Sequence, residues 1–494
     1  MNTIGFTNYA QPVKSETPWQ ENYNQDTTIF GKNVFLPINY HSAQNDNTLV
    51  IGTSGTGKTY SFVEPNVLQG NANYVIADAK GDILADVGAS LKKMGYQIQV
   101  LNLVDLKHSM TYNPILNMKS NLDVINFAHQ VMISDVSGNQ TTDSRQDPFW
   151  NNAAMTVLEA LIFFTQEFLP ESEQTMSTVV RLFGMLEDSP KNIEQVLVSL
   201  GDSDYNYEYE YDDDLTFGDC LFNWAVQEKP DSEAAKMWQQ IAGLHSSDRT
   251  WGSVLGILGA ALSPYRVKEV DRLLSSNQVD FSQLLKPKKA FFILYDDSDP
   301  SKNFISNTLY SQLFSFLYHA AFKLEGKTLP VKVRFFLDDF KNILIPHFDD
   351  YLATARSRNI SICMMLQDES QLKAKFGNNT PSVIGNCSAY LLTGTTDLAM
   401  AQTASSRFER SAKMIRLMNE DHFLLDVGGY IVEPVRYDFH NHPHFIDKRF
   451  NINNQFNTAN DDGDDSCKWP ELADILKSLP GIEMNDVELI DSLF

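Results

Sequence analysis

Two periodicities divide this chain. Short apolar runs, the mark of buried strands, occur at residues 49–51, 74–77 and 97–103. A helix predicted from near Lys58 and closed by Pro65, and an amphipathic one at 83–94, separate them. This β-α-β-α-β succession predicts a parallel sheet whose ligand sits at the carboxyl ends of the strands. From about residue 121 to 276 the period turns helical, with helices expected at 149–168, 175–186, 191–200, 219–226, 232–244 and 253–262. Strand runs then return at 290–295, 331–337, 360–366 and 389–393, with helices at 303–323 and 348–357.

The pattern predicts an α/β fold in which an all-α domain, 121–276, interrupts a sheet domain made of 47–120 and 277–450. Residues 1–46 read as an irregular lead-in with a strand-like piece at 33–36. Residues 451–494 read as an Asn/Asp-rich linker leading to a short acidic amphipathic segment from Trp469, suited to folding on a partner. The acidic, tyrosine-rich stretch 202–214 reads as a solvated loop, with a docking surface for a basic partner as the alternative.

Composition narrows the function. At 43% hydrophobic and 21% charged, the chain is an ordinary globular one. It has no apolar run near the roughly 20 residues that span a bilayer, and its polar N-terminus does not resemble a signal peptide. These features predict a cytoplasmic protein, or the soluble part of something anchored elsewhere. A net charge of −24 removes global attraction to nucleic acid, so any DNA contact must be local. Four well-separated cysteines predict neither a disulfide framework nor a zinc site. The run His440-x-His442-x-His444 can present three rings on one strand face, but Asn441 and Pro443 favour solvated polar sequence.

The chemistry starts at Gly52-Thr53-Ser54-Gly55-Thr56-Gly57-Lys58-Thr59, which satisfies the phosphate-loop spacing G-x4-GK[ST] directly after a strand. Glycines let consecutive backbone N–H groups close around phosphates. Lys58 reaches the β- and γ-phosphates, and Thr59 offers a hydroxyl to Mg2+. Such a loop needs an acid at the end of a neighbouring buried strand. Asp338 supplies it for Mg2+, and Asp339 is the residue to polarise water. Gln367, just past another strand, suits contact with the γ-phosphate or the lytic water. Arg356 and Arg358 are candidates for an arginine finger given in trans to the next subunit. Asp78 and Lys80, ending the second strand, fall where the pocket is expected.

The order of these motifs is specific. The phosphate loop with Pro65-Asn66, Asp78-Ala-Lys-Gly-Asp82, Tyr112-Asn113-Pro114, Asp147-Pro-Phe-Trp150, Leu337-Asp338-Asp339-Phe340 and Ala353-Thr-Ala-Arg356 resembles successive motifs of one family. So does Gln367 with Gln371-Leu372. It is that of the type IV coupling proteins of conjugative systems, TraG/TraD-like DNA-translocating ATPases, over roughly residues 30–440. The resemblance implies a RecA-like P-loop NTPase domain with an inserted all-α domain, ATP and Mg2+ as ligands, and assembly into a homo-hexamer. It implies single-stranded DNA, its relaxase and secretion-channel components as partners, and it favours Arg356 over Arg358 as the finger.

Three departures stand out: the family's N-terminal membrane helices are missing, Ala79 stands for Pro, and Asp339 stands for Glu. The shorter Asp339 leaves open a second function, an ATP-switched substrate receptor with little motor activity. A small-molecule kinase is disfavoured by the large helical insertion. An FtsK-type translocase is disfavoured by that insertion and by the Asp147–Trp150 motif.

Overall fold

The computed structural model describes residues 18–38, 45–133, 148–186, 196–197, 207–211, 216–244, 247–452, 469–479 and 482–486. Most of the helix expected at 191–200 lies outside them.

The strands, in chain order, are β1 (Thr27–Gly31), β2 (Val34–Pro37), β3 (Thr48–Ile51), β4 (Asn73–Ala79), β5 (Gln97–Asn102), β6 (Tyr207–Tyr211) and β7 (Lys289–Tyr295). They continue with β8 (Val333–Leu337), β9 (Ile360–Leu366), β10 (Ala389–Leu392), β11 (Leu424–Val427), β12 (Tyr430–Val432) and β13 (Ile482–Asp486). Nine of them form one sheet in the order β12-β11-β10-β3-β9-β8-β4-β7-β5, parallel from β10 to β5. Strands such as Phe335-Phe336 and Met364-Met365 are apolar on both sides because both faces of the sheet are covered.

The consecutive strands β3, β4 and β5 are parallel as expected, but they are not neighbours. Strands from the second half of the chain interleave: β9 and β8 lie between β3 and β4, and β7 lies between β4 and β5. Local periodicity carries no information on such pairing, which long-range burial decides. The hairpin β11–β12 was not expected. Its Gly428-Gly429 turn has φ of 59° and 91°, the left-handed pair that a tight two-residue turn requires. The lead-in is also less irregular than expected, since β1 and β2 pair and bury Phe30 and Val34 against the sheet.

The helix after β3 is not closed at Pro65. It runs as a widened π-type turn over Thr59–Val63 and continues as α-helix over Glu64–Leu68. Pro65 has no N–H and would clash with the carbonyl four residues back. The wider turn, in which the Glu64 N–H bonds the Thr59 carbonyl, makes room for it.

Between β5 and β7 the chain forms the helical domain. Its longest member, Pro148–Phe168, buries Val157, Leu161 and Phe164 and packs on Glu233–Ile241 and Asp248–Leu262. Tyr112-Asn113-Pro114 ties this domain to the sheet. The Tyr112 hydroxyl donates to Gln312 Oε1 (2.6 Å), while Asn113 caps the following turn and donates to the Gln174 carbonyl (2.8 Å).

Two expectations fail together here. Tyr207–Tyr211, expected within a solvated loop, is strand β6 paired antiparallel with β13 from the C-terminal segment. That segment, expected to stand apart, docks on the helical domain. Trp469 is buried and donates from Nε1 to Thr178 Oγ1 (2.9 Å), with the Arg181 guanidinium 3.9 Å from its ring centroid. The buried Glu173 carboxylate accepts the N–H groups of Glu471 (2.9 Å) and Leu472 (3.0 Å), capping the helix Pro470–Lys477. The amphipathic segment finds its apolar partner within its own chain. Trp469→Ala should therefore cost about 3–5 kcal/mol, read as a lowered unfolding midpoint of the helical domain; an unchanged midpoint would show that the docking is superficial.

The chain after β12 wraps back over the phosphate-loop helix. His442, expected to be solvated, is buried and lies 3.2 Å from Gln69 Oε1, and His444 Nδ1 is 2.9 Å from the Leu68 carbonyl. Burial, with the charge of His444, pulls His442 down to about 3. Folding thus keeps it neutral while the unfolded chain takes up its proton near 6.5, so its contribution is intact above that pH and is lost as pH falls. His442→Gln should flatten the acid side of the stability profile by roughly 2 kcal/mol between pH 6.5 and 5. Parallel profiles for the two proteins would contradict this.

Candidate functional site

The carboxyl ends of β3, β9, β10, β8, β4 and β7 meet on one edge of the sheet, and the phosphate-loop motif emerges there. Its start is pinned on both sides: the Gly52 N–H donates to the Leu366 carbonyl at the end of β9 (3.2 Å), and the Thr53 N–H to the Gly394 carbonyl past β10 (3.3 Å). Thr56 Oγ1 donates to the Thr53 carbonyl (2.8 Å) and lies 2.7 Å from Thr393 Oγ1, closing the turn; Ser54 is exposed at its tip. Gly55 and Gly57 have φ of 82° and 85°, which side-chain-bearing residues rarely adopt. At Gly52 space decides instead, since a Cβ there would lie 2.0 Å from Thr393 Oγ1.

Lys58 folds over the loop and donates from Nζ to the carbonyls of Gly52 and Thr53. Burial lowers its pKa, against the opposing pull of Asp338 and Asp339. Thr59 Oγ1 donates to Asp338 Oδ2 at 2.8 Å, joining two motifs 279 positions apart. The strand that carries Asp338, β8, is not the immediate neighbour of β3 as expected, because β9 lies between them. The contact spans that strand. Burial raises the Asp338 pKa, and the Thr59 hydroxyl, the Asp339 N–H and Lys58 oppose the rise. The Tyr295 hydroxyl fixes the same turn by donating to the Asp338 carbonyl (2.6 Å).

Asp339 adopts the left-handed conformation at φ 47°, ψ 47°, a strained position for a residue with a side chain. Its carboxylate accepts from Asn342 Nδ2 (2.7 Å) and lies 3.6 Å from Lys341 Nζ. Burial raises its pKa too, in the direction that makes a carboxylate a better base.

The remaining candidates separate. Gln367 follows Leu366 directly, beside the pinned start of the loop, and its N–H bonds Gln371 Oε1 (3.0 Å). Asp78 is fully buried and faces the helix Asp82–Lys93, accepting the N–H groups of Ile83 (3.2 Å) and Leu84 (2.8 Å). It acts there as a helix cap, and burial pushes it up to about 7. Lys80 has its ammonium on the surface, 3.3 Å from Asp297. Arg356 is exposed at the amino end of β9, about 20 Å along the strand from Gln367, too far to serve the loop of its own chain. Arg358 is committed locally, donating to the Lys327 carbonyl (3.0 Å).

Two residues beside the loop were not foreseen. Thr393 follows β10 and was readable only as the end of a strand. Arg436 lies beyond the hairpin in a stretch without a motif, and it reaches the loop because the chain folds back. Its Nε donates to Ser61 Oγ at 2.8 Å.

Residues 14–406 match the family model described as type IV secretory system conjugative DNA transfer. No curated protein matches the sequence. Among solved structures, the bacterial conjugative coupling protein TrwB, in its unbound form, superposes with a TM-score of 0.57 at 15% identity, over 86% of this chain and 92% of that one. TrwB in complex with the ATP analogue ADPNP gives 0.58 at 15% identity, over 86% and 93%. VirB4 of Thermoanaerobacter pseudethanolicus gives 0.50 at 10% identity, over 84% and 97%. The likeness is one of fold: a RecA-like α/β domain with a mostly parallel sheet and a helical domain.

Lys58→Ala should lower ATP turnover by about a hundredfold or more with the unfolding midpoint little changed. Turnover at the wild-type rate would move the active site elsewhere.

Proposed function

The chain belongs to the type IV secretory system conjugative DNA-transfer family, and from that premise we propose that it is an ATPase coupling protein. In this reading it recruits relaxase-bound single-stranded DNA and drives it to the secretion channel. The observation that carries the reading is the 2.8 Å contact between Thr59 and Asp338, with the Lys58 ammonium folded over the same loop. A hydroxyl, a carboxylate and a cation converge at the end of a glycine turn, the donor set that a magnesium–triphosphate complex requires.

The residues fit Mg2+ as well. Thr59 and Asp338 offer adjoining hard oxygen ligands, and burial of Asp338 favours a cation beside it. Bound there, the metal would neutralise charge on the terminal phosphates. Lys58 would exchange its loop carbonyls for phosphate oxygens. Asp339, fixed by Asn342, would take a proton from the attacking water as its oxygen bonds the γ-phosphorus and the bond to ADP breaks. Gln367 would orient that water.

Arg356 would act on the neighbouring subunit's nucleotide, since its position excludes its own, and this makes turnover depend on a closed ring. We place the protein in the cytoplasm, at the membrane through a partner of the channel. Among the described residues no helix is long and apolar enough to cross a bilayer.

A second reading is an ATP-switched receptor with little motor activity. Its support is Asp339, whose carboxylate is already engaged by Asn342 and Lys341. Hydrolysis measured with and without single-stranded DNA, across protein concentration, separates the two. A motor speeds up with DNA and more than linearly with protein; a receptor binds ATP with flat turnover. Mixing then tests the finger. Arg356→Ala and Lys58→Ala should each be inactive alone but recover turnover when combined, because an intact loop on one subunit meets an intact arginine on the next. No recovery would remove Arg356 from this role.

A further inference from the structure

The segment after β12 returns to the phosphate loop, where Arg436 lies against Gly57. A methyl group on Gly57 would lie 2.6 Å from Arg436 Nη2, which shows how closely the guanidinium packs on the loop, while the φ of 85° is what calls for glycine there. The guanidinium is held in place from several sides. Nε donates to Ser61 Oγ (2.8 Å), the backbone N–H donates to the Asp421 carbonyl (2.7 Å), and the cation lies 5.2 Å from the centroid of the Tyr60 ring. Tyr60 is itself fixed, its hydroxyl donating to Asp438 Oδ1 (2.6 Å).

Despite this restraint, Arg436 forms no ion pair among the described residues. A half-buried guanidinium held beside a phosphate loop without a carboxylate partner has the chemistry of an anion contact. It also borders a cavity of about 420 Å³ on the side of the loop away from Asp338, lined among others by Thr53, Thr56, Thr395 and Asn419. That volume lies in the range of small-ligand sites, roughly 300–1,000 Å³.

We propose that Arg436 binds nucleotide within its own subunit, contacting the phosphate nearest the nucleoside, and that the adjoining cavity takes the ribose and base. The assignment rests on the reading of this loop as a nucleotide site and adds the residues that grip the other end of the ligand. It also separates the two arginines: Arg436 serves binding in cis, and Arg356 serves turnover in trans.

The test is equilibrium binding of fluorescent ADP and of a non-hydrolysable ATP analogue to the full chain. Arg436→Gln should weaken both about tenfold to a hundredfold, and by the same factor, since the contact precedes the terminal phosphate. Arg436→Lys, which keeps a cation without the planar fork, should fall between wild type and Arg436→Gln and covers the case in which Arg436→Gln folds poorly. Ser61→Ala removes the internal partner and leaves the guanidinium, so it should bind almost normally; a loss as large as that of Arg436→Gln would make Arg436 merely structural and overturn the proposal. Unchanged affinity in both Arg436 variants would overturn it too. A loss confined to the ATP analogue would place the contact at the terminal phosphate and would equally overturn it. Absence of any nucleotide binding by the wild type would instead defeat the function proposed above.

Discussion

The structure depends on one electrostatic constraint: a loop able to hold several phosphate charges must be built next to two acids. Asp338 and Asp339 lie at the end of a buried strand, where desolvation raises both pKa values. What makes the arrangement tolerable is a short list of donors. Thr59 and the Asp339 N–H serve Asp338, Asn342 and Lys341 serve Asp339, and Lys58 supplies opposing charge. The donors come from two turns, the phosphate loop after β3 and the turn after β8. The site therefore exists only when β3 and β8, with β9 between them, are in register. Parallel strands meet that requirement because their carboxyl ends, with the loops that follow, lie on one edge.

The same logic explains how a large helical insertion is accommodated. It leaves the sheet after β5 and returns at β7, which sits between β4 and β5, so the excursion closes on the strands it left. Tyr112, Asn113 and Gln312 bond across that junction. The C-terminal helix then seals the helical domain with Trp469 and the Glu173 cap. A hydrophobic segment that sequence alone leaves without a partner finds it in cis, because burying an indole with a satisfied N–H outweighs ordering a short helix.

Two arginines show how position assigns chemistry that residue type does not. Arg356 and Arg436 are equally cationic, yet one stands at the amino end of β9 and the other is pressed on Gly57. Strand direction separates them by about the length of a strand. In the proposed scheme that separation divides the work between grip in one subunit and catalysis in the next.

Much of this was legible in the residues. The apolar runs gave the parallel strands, and the spacing from Gly52 to Thr59 gave the loop. Leu337-Asp338 gave the acid, because burial pattern and local turn chemistry are written in adjacent positions. Other features were not legible: the interleaved order of β9, β8 and β7, the capping role of Asp78, the burial of His442, the pairing of Tyr207–Tyr211 with Ile482–Asp486, and the arrival of Arg436. Each of these is a meeting of residues far apart in the chain, chosen by which surfaces bury each other best. The sequence by itself determined which local structures and which chemical groups the protein has. Only the tertiary structure decided which groups meet, because burial and hydrogen-bond satisfaction are settled across the whole fold.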